Sequence, residues 1–352
     1  MSYRDAKKID TRLANISKKI SFYIVNPINL KEEEKKFYSQ KGYNPQFRYE
    51  KYRANLDLLR KKLESLKLDN SVIGKILEEK RIRHLKRVLM LKNLGKEEFT
   101  ACSVYLYGKP SEGLVEKAKM LLATEPNNEK PKRLTTEEVL SLLRDILDKN
   151  DLKNWQVIEK DMPAIAAVKP LKRVLMIRKE EEFSQDIIDR LITHEIGTHI
   201  LRVENGARQP FRIFERGLPG YLRTEEGLAV INEERNGYLN RNILANYAGR
   251  VLAVDMAQRA PFVEVFEYLS KYFDAATSFK FTTRAKRGIS DTSKPGGLTK
   301  DYLYLDGYFA VRGFLENGGD IEDLYYGRIG IEHIPLLKDV PKLKKPRTEI
   351  IL

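Results

Sequence analysis

The stretch Thr193–Arg202, THEIGTHILR, sets His194 and His199 five residues apart, with Glu195 beside the first. In zinc-peptidase helices the two histidine ligands stand four apart, one turn from each other on a single face. Five residues at about 3.6 per turn carry the second side chain roughly 140° away from the first. On a regular α-helix these two imidazoles point apart and cannot share an ion. Two local changes would bring them together. Gly197 and Thr198 lie between them, and a wide π-type turn with i→i+5 bonding would restore a common face. The other route is unwinding at Gly197, so that His199 approaches from the next turn.

Downstream, RTEEGLAVINEERNG (residues 223–237) reads as an amphipathic helix with Thr224 as its N-cap and Glu225 and Glu226 in its first turn. A hydrolytic zinc site takes three protein ligands and keeps a fourth position for water. Two histidines and one of these glutamates make such a set, and Glu195 would then stand beside the water as general base. Ordinary helices also carry histidines, and glutamates favour a helix N-terminus without any metal. The coincidence favours the metal: the chain has four histidines, and two fall here beside a glutamate. His84 and His333 read as structural or surface residues.

The surrounding chain is predicted to be α+β and mostly helical. NWQVIEKDMPAIAAVKPLKRVLMIRK (154–179) holds two or three short β-rich runs directly before the motif, which predicts a small β-sheet beside that helix. EEFTACSVYLYGKPS (97–111) alternates and reads as a strand, with Cys102 on it as a small buried hydrophobe. Residues 1–25 and 50–92 have helical spacing, and a short helix lies between two Asn-Pro turns in 26–50. Helices follow at 112–124 and at 135–148, the latter opened by TTEEV. Beyond the motif they are expected at 225–246, 249–258, 261–272, 275–286 and 300–317. The expected organisation is a helical N-terminal region, 1–150, and a catalytic region, 151–352.

Apolar residues make up 42% of the 352, which suits a globular chain. One cysteine excludes a disulfide framework or a four-cysteine zinc site and fits a reducing compartment. The first twenty residues hold no signal-like apolar run, and no stretch approaches the ~18 apolar residues of a membrane span. A cytoplasmic protein with no membrane partner is expected. The net charge is +14, gathered at 79–92, 283–288 and 342–347. That favours an acidic partner. Nucleic acid ranks last, since no nucleic-acid motif accompanies the charge. The alternative to an enzyme is a basic binding or regulatory protein with a structural or inactive metal site. Such a protein has no need of Glu195, a residue outside the expected ligand set.

HEIGTH, NGARQPF, TEEGLA and RAKRGISDTSKPGGLTKDYLYLDG, in that order, resemble the microtubule-associated tyrosine carboxypeptidase family. NPINLKEEEKKF and VYLYGKPSEGLVEKA extend the resemblance over roughly residues 20–335. It implies a zincin-like catalytic domain with one Zn²⁺ per chain. It also implies His194, His199 and Glu226 as ligands and Glu195 as the catalytic residue. Glu225 stands where the bacterial QEGLA shorthand has Gln, and so is not the ligand. The implied activity releases a C-terminal residue, tyrosine or another aromatic, from a peptide or protein with an acidic tail. Animal members act on α-tubulin, which implies a tubulin-like partner. A terminal carboxylate calls for a guanidinium or ammonium group. The segment 281–307 offers Arg284, Lys286, Arg287, Lys294 and Lys300, with Tyr302 and Tyr304 nearby, and Arg208 and Gln209 are further candidates. Pro295, Gly296 and Gly297 predict a loop folded back over a site.

Overall fold

The structure, a computed structural model, describes residues 2–20, 23–122, 133–162, 165–179 and 183–351. Among these, the chain opens with α1 (Tyr3–Ser17), α2 (Leu30–Ser39), α3 (Leu56–Glu64), α4 (Val72–Lys92), α5 (Glu98–Tyr107) and α6 (Glu112–Leu122). Strand β1 (Arg133–Leu134) and α7 (Thr136–Lys149) precede β2 (Gln156–Lys160), β3 (Ala166–Lys169), β4 (Val174–Arg178) and β5 (Phe183–Ser184). Then α8 (Gln185–Leu191), a π-helix (Ile192–Ile200) and α9 (Leu201–Arg208) follow one another directly. The remaining helices are α10 (Ile213–Arg216), α11 (Leu222–Arg235), α12 (Arg241–Ala257), α13 (Phe262–Leu269), α14 (Ala275–Lys286), α15 (Leu303–Glu316) and α16 (Ile334–Leu337). The fold is α+β and mostly helical, and no helix of the described residues is long and apolar enough to cross a membrane.

Two compact units emerge, Met1–Glu125 with Arg241–Asp306, and Pro126–Asn240 with Gly307–Leu352. In the first, α12 packs on α6, α13 and α14, and Phe37, Phe47, Phe262 and Phe279 form an aromatic cluster. The second contains the motif. There β4 is central, parallel to β2 (Gln156 opposite Val174) and antiparallel to β3 (Ala166 opposite Ile177). Successive side chains of a strand point to opposite faces. Leu175 and Ile177 therefore join Val157 in the main core of this unit, while Val174 and Met176 join Met162 on the other side. Helix α7 adds Val139, Leu143, Ile146 and Leu147 to the main core, a helical spacing. Its start is fixed by a capping box in which Thr135 and Glu138 each bond the other's backbone N–H.

Three sequence expectations are corrected. Residues 98–107 form a helix, not a strand. Phe99, Cys102, Ser103 and Leu106 are its buried residues, at i, i+3, i+4 and i+7, and this packing overrides the β-rich composition. Helix α11 starts at Leu222, so Thr224 lies inside it; its hydroxyl accepts from the Ile331 N–H at 3.0 Å. The helix expected to run to 246 ends at Arg235, because Gly237 at φ 77° terminates it and α12 starts at Arg241. The expected end of the 112–124 helix lies outside the described residues.

Gly227, next to Glu226, faces Gly307 of α15. A methyl added at Gly227 would sit 2.2 Å from the Gly307 carbonyl. Gly227→Ala must force these backbones apart and is expected to cost about 1–3 kcal/mol or more, as overpacking does. A lowered denaturant midpoint checks it; an unchanged midpoint contradicts the close crossing.

Candidate metal centre

The π-helix resolves the five-residue spacing through a wide turn, without unwinding at Gly197. Its apolar side, Ile192, Ile196 and Ile200, is buried in the core. The ladder is supported from outside. Thr198 Oγ1 donates to the Thr193 carbonyl at 3.1 Å, five residues back, and the Tyr325 hydroxyl donates to the Gly197 carbonyl at 3.1 Å. Asn232 Nδ2 in turn reaches Thr198 Oγ1 (2.8 Å) and the Tyr325 hydroxyl (2.7 Å).

The wide turn brings the two imidazoles to a centroid separation of 4.9 Å. Helix α11 packs across the π-helix and presents Glu226. Ligand-capable atoms of His194, His199 and Glu226 all lie within 4.8 Å of one another. His199 Nε2 is 3.8 Å from Glu226 Oε2, inside the ~4.2 Å that two donors each about 2.1 Å from a shared zinc can span.

Carboxylates behind the histidines fix which nitrogen faces forward. His194 Nδ1 lies 2.7 Å from Glu233 Oε1, which also accepts from Arg190 at 3.1 Å. His199 Nδ1 lies 3.3 Å from Glu225 Oε1. With each Nδ1 turned to a carboxylate, each Nε2 is left for an ion, the usual role of the groups behind metal-bound histidines. Glu225 is itself held by Arg202 Nη1 (2.8 Å) and Arg328 Nε (2.9 Å). Burial alone would raise the Glu225 carboxyl, but Arg328 and Arg202 outweigh it and hold it well below the carboxylate range. Burial also opposes the charge on Glu233, where His194 and Arg190 prevail and lower it. His199 shows the reverse balance: burial would lower it, while Glu225, Glu195 and Glu226 raise it.

Four carboxylates, Glu195, Glu225, Glu226 and Glu233, thus act on the two imidazoles against three arginines, a balance that favours a bound cation. Two imidazole nitrogens and a carboxylate oxygen suit zinc. Glu195 is buried, and among the described residues none hydrogen-bonds its carboxylate.

Glu233, Arg202 and Arg328 have no role expected from the sequence, and Glu225 stands there only as the alternative to Glu226. Glu233 had a signal, since it lies seven residues beyond Glu226 on the same face of α11. Glu233→Gln retains an acceptor for the His194 proton and is expected to weaken metal binding mildly. Glu233→Ala removes the acceptor and is expected to weaken it about 10- to 100-fold. Competition with a chelator measures both.

The other candidates are placed as follows. Arg208 is exposed at the end of α9. The Gln209 amide donates to the Lys344 carbonyl and accepts from its N–H, both at 2.9 Å. Arg284, Lys286, Arg287, Lys300 and Tyr302 belong to the first unit. There Arg284 pairs with buried Asp301, and Arg287 donates to Asn26 Oδ1 at 2.7 Å. Buried Lys286 donates to the carbonyls of Ala260 (2.5 Å) and Lys294 (2.7 Å), and the Tyr302 hydroxyl donates to the Tyr107 carbonyl at 2.6 Å. Lys300 opens a short 3₁₀ turn. The 295–297 loop folds onto α14: a methyl at Gly297 would lie 2.1 Å from the Ala285 carbonyl oxygen. His84 and His333 are both buried rather than on the surface, the latter with Nδ1 accepting from the Gly330 N–H.

A mostly helical α+β protein with a His–His–Glu cluster shared by a π-helix and its neighbour is the class that fold and site define. A family model described as microtubule-associated tyrosine carboxypeptidase matches residues 34–344, and the chain belongs to that family. Microtubule-associated tyrosine carboxypeptidase 1 of Mus musculus is 28% identical over 297 residues, 82% of this chain and 55% of the relative. Its Homo sapiens namesake is 39% identical over 132 residues, 35% of this chain and 27% of the relative. Putative tyrosine carboxypeptidase MATCAP2 of Mus musculus is 32% identical over 161 residues, 44% of this chain and 30% of the relative. The chain spans about half, or less, of the length of these curated relatives.

Proposed function

We propose that this chain is a zinc-dependent carboxypeptidase that releases a C-terminal residue, tyrosine or another aromatic, from an acidic tail. The observation that carries the reading is the convergence of His194, His199 and Glu226 with Glu195 adjacent, in a chain of the tyrosine carboxypeptidase family. Zinc, when bound, would polarise a carbonyl and acidify water. His194 and His199 would hold it through Nε2, with Nδ1 of His194 turned to Glu233 and Nδ1 of His199 turned to Glu225. Glu226 would supply the carboxylate oxygen. Glu195 takes the proton of the attacking water and passes it to the leaving amine.

The substrate's terminal carboxylate calls for a basic partner. Arg284 and Arg287, which share Asp301, and exposed Arg208 are the leading candidates; Lys286, Lys300, Tyr302 and Gln209 follow, since Lys286, Tyr302 and Gln209 already serve backbone groups. The net charge of +14 favours an acidic substrate such as a tubulin-like tail.

The test joins metal analysis of the purified protein to a screen of peptides with varied C-terminal residues. About one zinc per chain is expected. An amidated peptide is expected to be cut about ten- to a hundredfold more slowly than its free acid, the contribution of a charge-assisted pair of roughly 1.5–3 kcal/mol. Equal cleavage of both, at internal bonds as well, would leave a zinc peptidase but remove the carboxypeptidase.

A further inference from the structure

The basic stretch at 342–347 runs into a segment, Lys344–Ile351, that has neither helix nor strand and lies in the same unit as the candidate metal centre. It is gripped by its backbone at three points. Gln209 donates to the Lys344 carbonyl and accepts from its N–H, each at 2.9 Å. Asn205 does the same for Arg347, at 2.6 and 2.9 Å, and Asn150 for Ile351, at 2.6 and 2.7 Å. All three amides are buried. Each satisfies both backbone groups of one residue, as the partner in a hydrogen-bonded strand pair does. The Arg347 guanidinium locks the path by donating to the Asn150 carbonyl and to Asn150 Oδ1, both at 2.7 Å.

Between the second and third grips, half-buried Ile350 packs against the main core of the unit. It also covers Gly197 in the wide turn: a methyl added at Gly197 would be 3.4 Å from Ile350 Cδ1. A π-helix is rare and is seen mostly as single turns, so a nine-residue one needs support. Thr198 and Tyr325 satisfy its carbonyls. Gly197 has no side chain to pack, and Ile350 fills that place.

We infer that Lys344–Ile351 is a strap, held in a backbone-reading groove formed by Asn150, Asn205 and Gln209, that keeps the π-turn closed through Ile350. Ile350 is a positioning residue for His194 and His199, since it acts through Gly197 and touches no reacting group. The zinc part of this inference rests on the proposed metal centre; the part about the turn does not.

The test uses the full chain with Ile350→Ala, with Asn205→Ala/Gln209→Ala, and with Ile351→Ala as the control, its side chain being 62% exposed. Hydrogen–deuterium exchange of residues 193–201 and zinc affinity by chelator competition are read for each. Both strap variants are expected to speed exchange at 197–201 at least about tenfold and to weaken zinc about 10-fold or more. Ile350→Val is expected to restore most of both, and Ile351→Ala to change neither. Faster exchange at the Arg347 amide with 193–201 unchanged would overturn the strap. So would acceleration shared equally by α7, which marks general destabilisation. If the parent chain takes up no zinc, the metal reading fails and exchange alone decides the strap.

Discussion

Glu195→Gln is expected to keep its zinc and its fold and to lose between about 10² and 10⁴ in turnover. The amide matches the carboxylate in size and can still hydrogen-bond a water molecule, but it cannot accept a proton. Glu195 is outside the His194, His199 and Glu226 group, so its replacement leaves every ligand atom in place. It is buried beside the centre, and its charge acts on His199, but Glu225 and Glu226 act on that imidazole as well and remain in the variant. The measurement is paired: bound zinc per chain and the rate on a free-acid peptide. Activity within a few-fold of the parent, at full zinc, would remove Glu195 as the base.

The second large effect falls on metal content. His194→Ala, His199→Ala and Glu226→Ala are each expected to lose most of the bound zinc, because each leaves two protein ligands where hydrolytic zinc sites have three. The two neighbouring glutamates should separate cleanly. Glu225 is buried between Arg202 and Arg328 and stands behind His199 Nδ1, whereas Glu226 Oε2 faces His199 Nε2. Glu226→Ala should therefore release metal directly. Glu225→Ala should leave buried Arg202 and half-buried Arg328 without their carboxylate and chiefly lower stability, an uncompensated buried charge costing about 3–5 kcal/mol. Full zinc occupancy in Glu226→Ala would transfer the ligand role to Glu225.

Much of the centre lies in spacings short enough to read along the chain. His194, Glu195 and His199 share one helix, and Glu226 sits next to Gly227, which permits the crossing with Gly307. Helix α14 spans the residues its spacing predicts, and α7 is opened by the cap that TTEEV announces. The short β-rich runs at 154–179 become β2, β3 and β4. These features are local: helix periodicity, capping and strand alternation depend on neighbours a few residues away.

The sequence by itself determined which residues could bind a metal and that the protein is mostly helical. Only the tertiary structure decided between a wide turn and an unwound one. Its supports come from far along the chain, with Tyr325 on the Gly197 carbonyl, Asn232 on Thr198 and Ile350 over Gly197. It also decided that Glu225 is held by Arg202 and Arg328, the latter 103 residues away in sequence, and that residues 98–107 are helical because Phe99, Cys102 and Leu106 turn to one buried side. The physical reason is the same in each case. A periodic pattern fixes which face a segment offers, but the free energy that selects its conformation comes from groups brought to that face by packing, and their sequence distance carries no periodic signal.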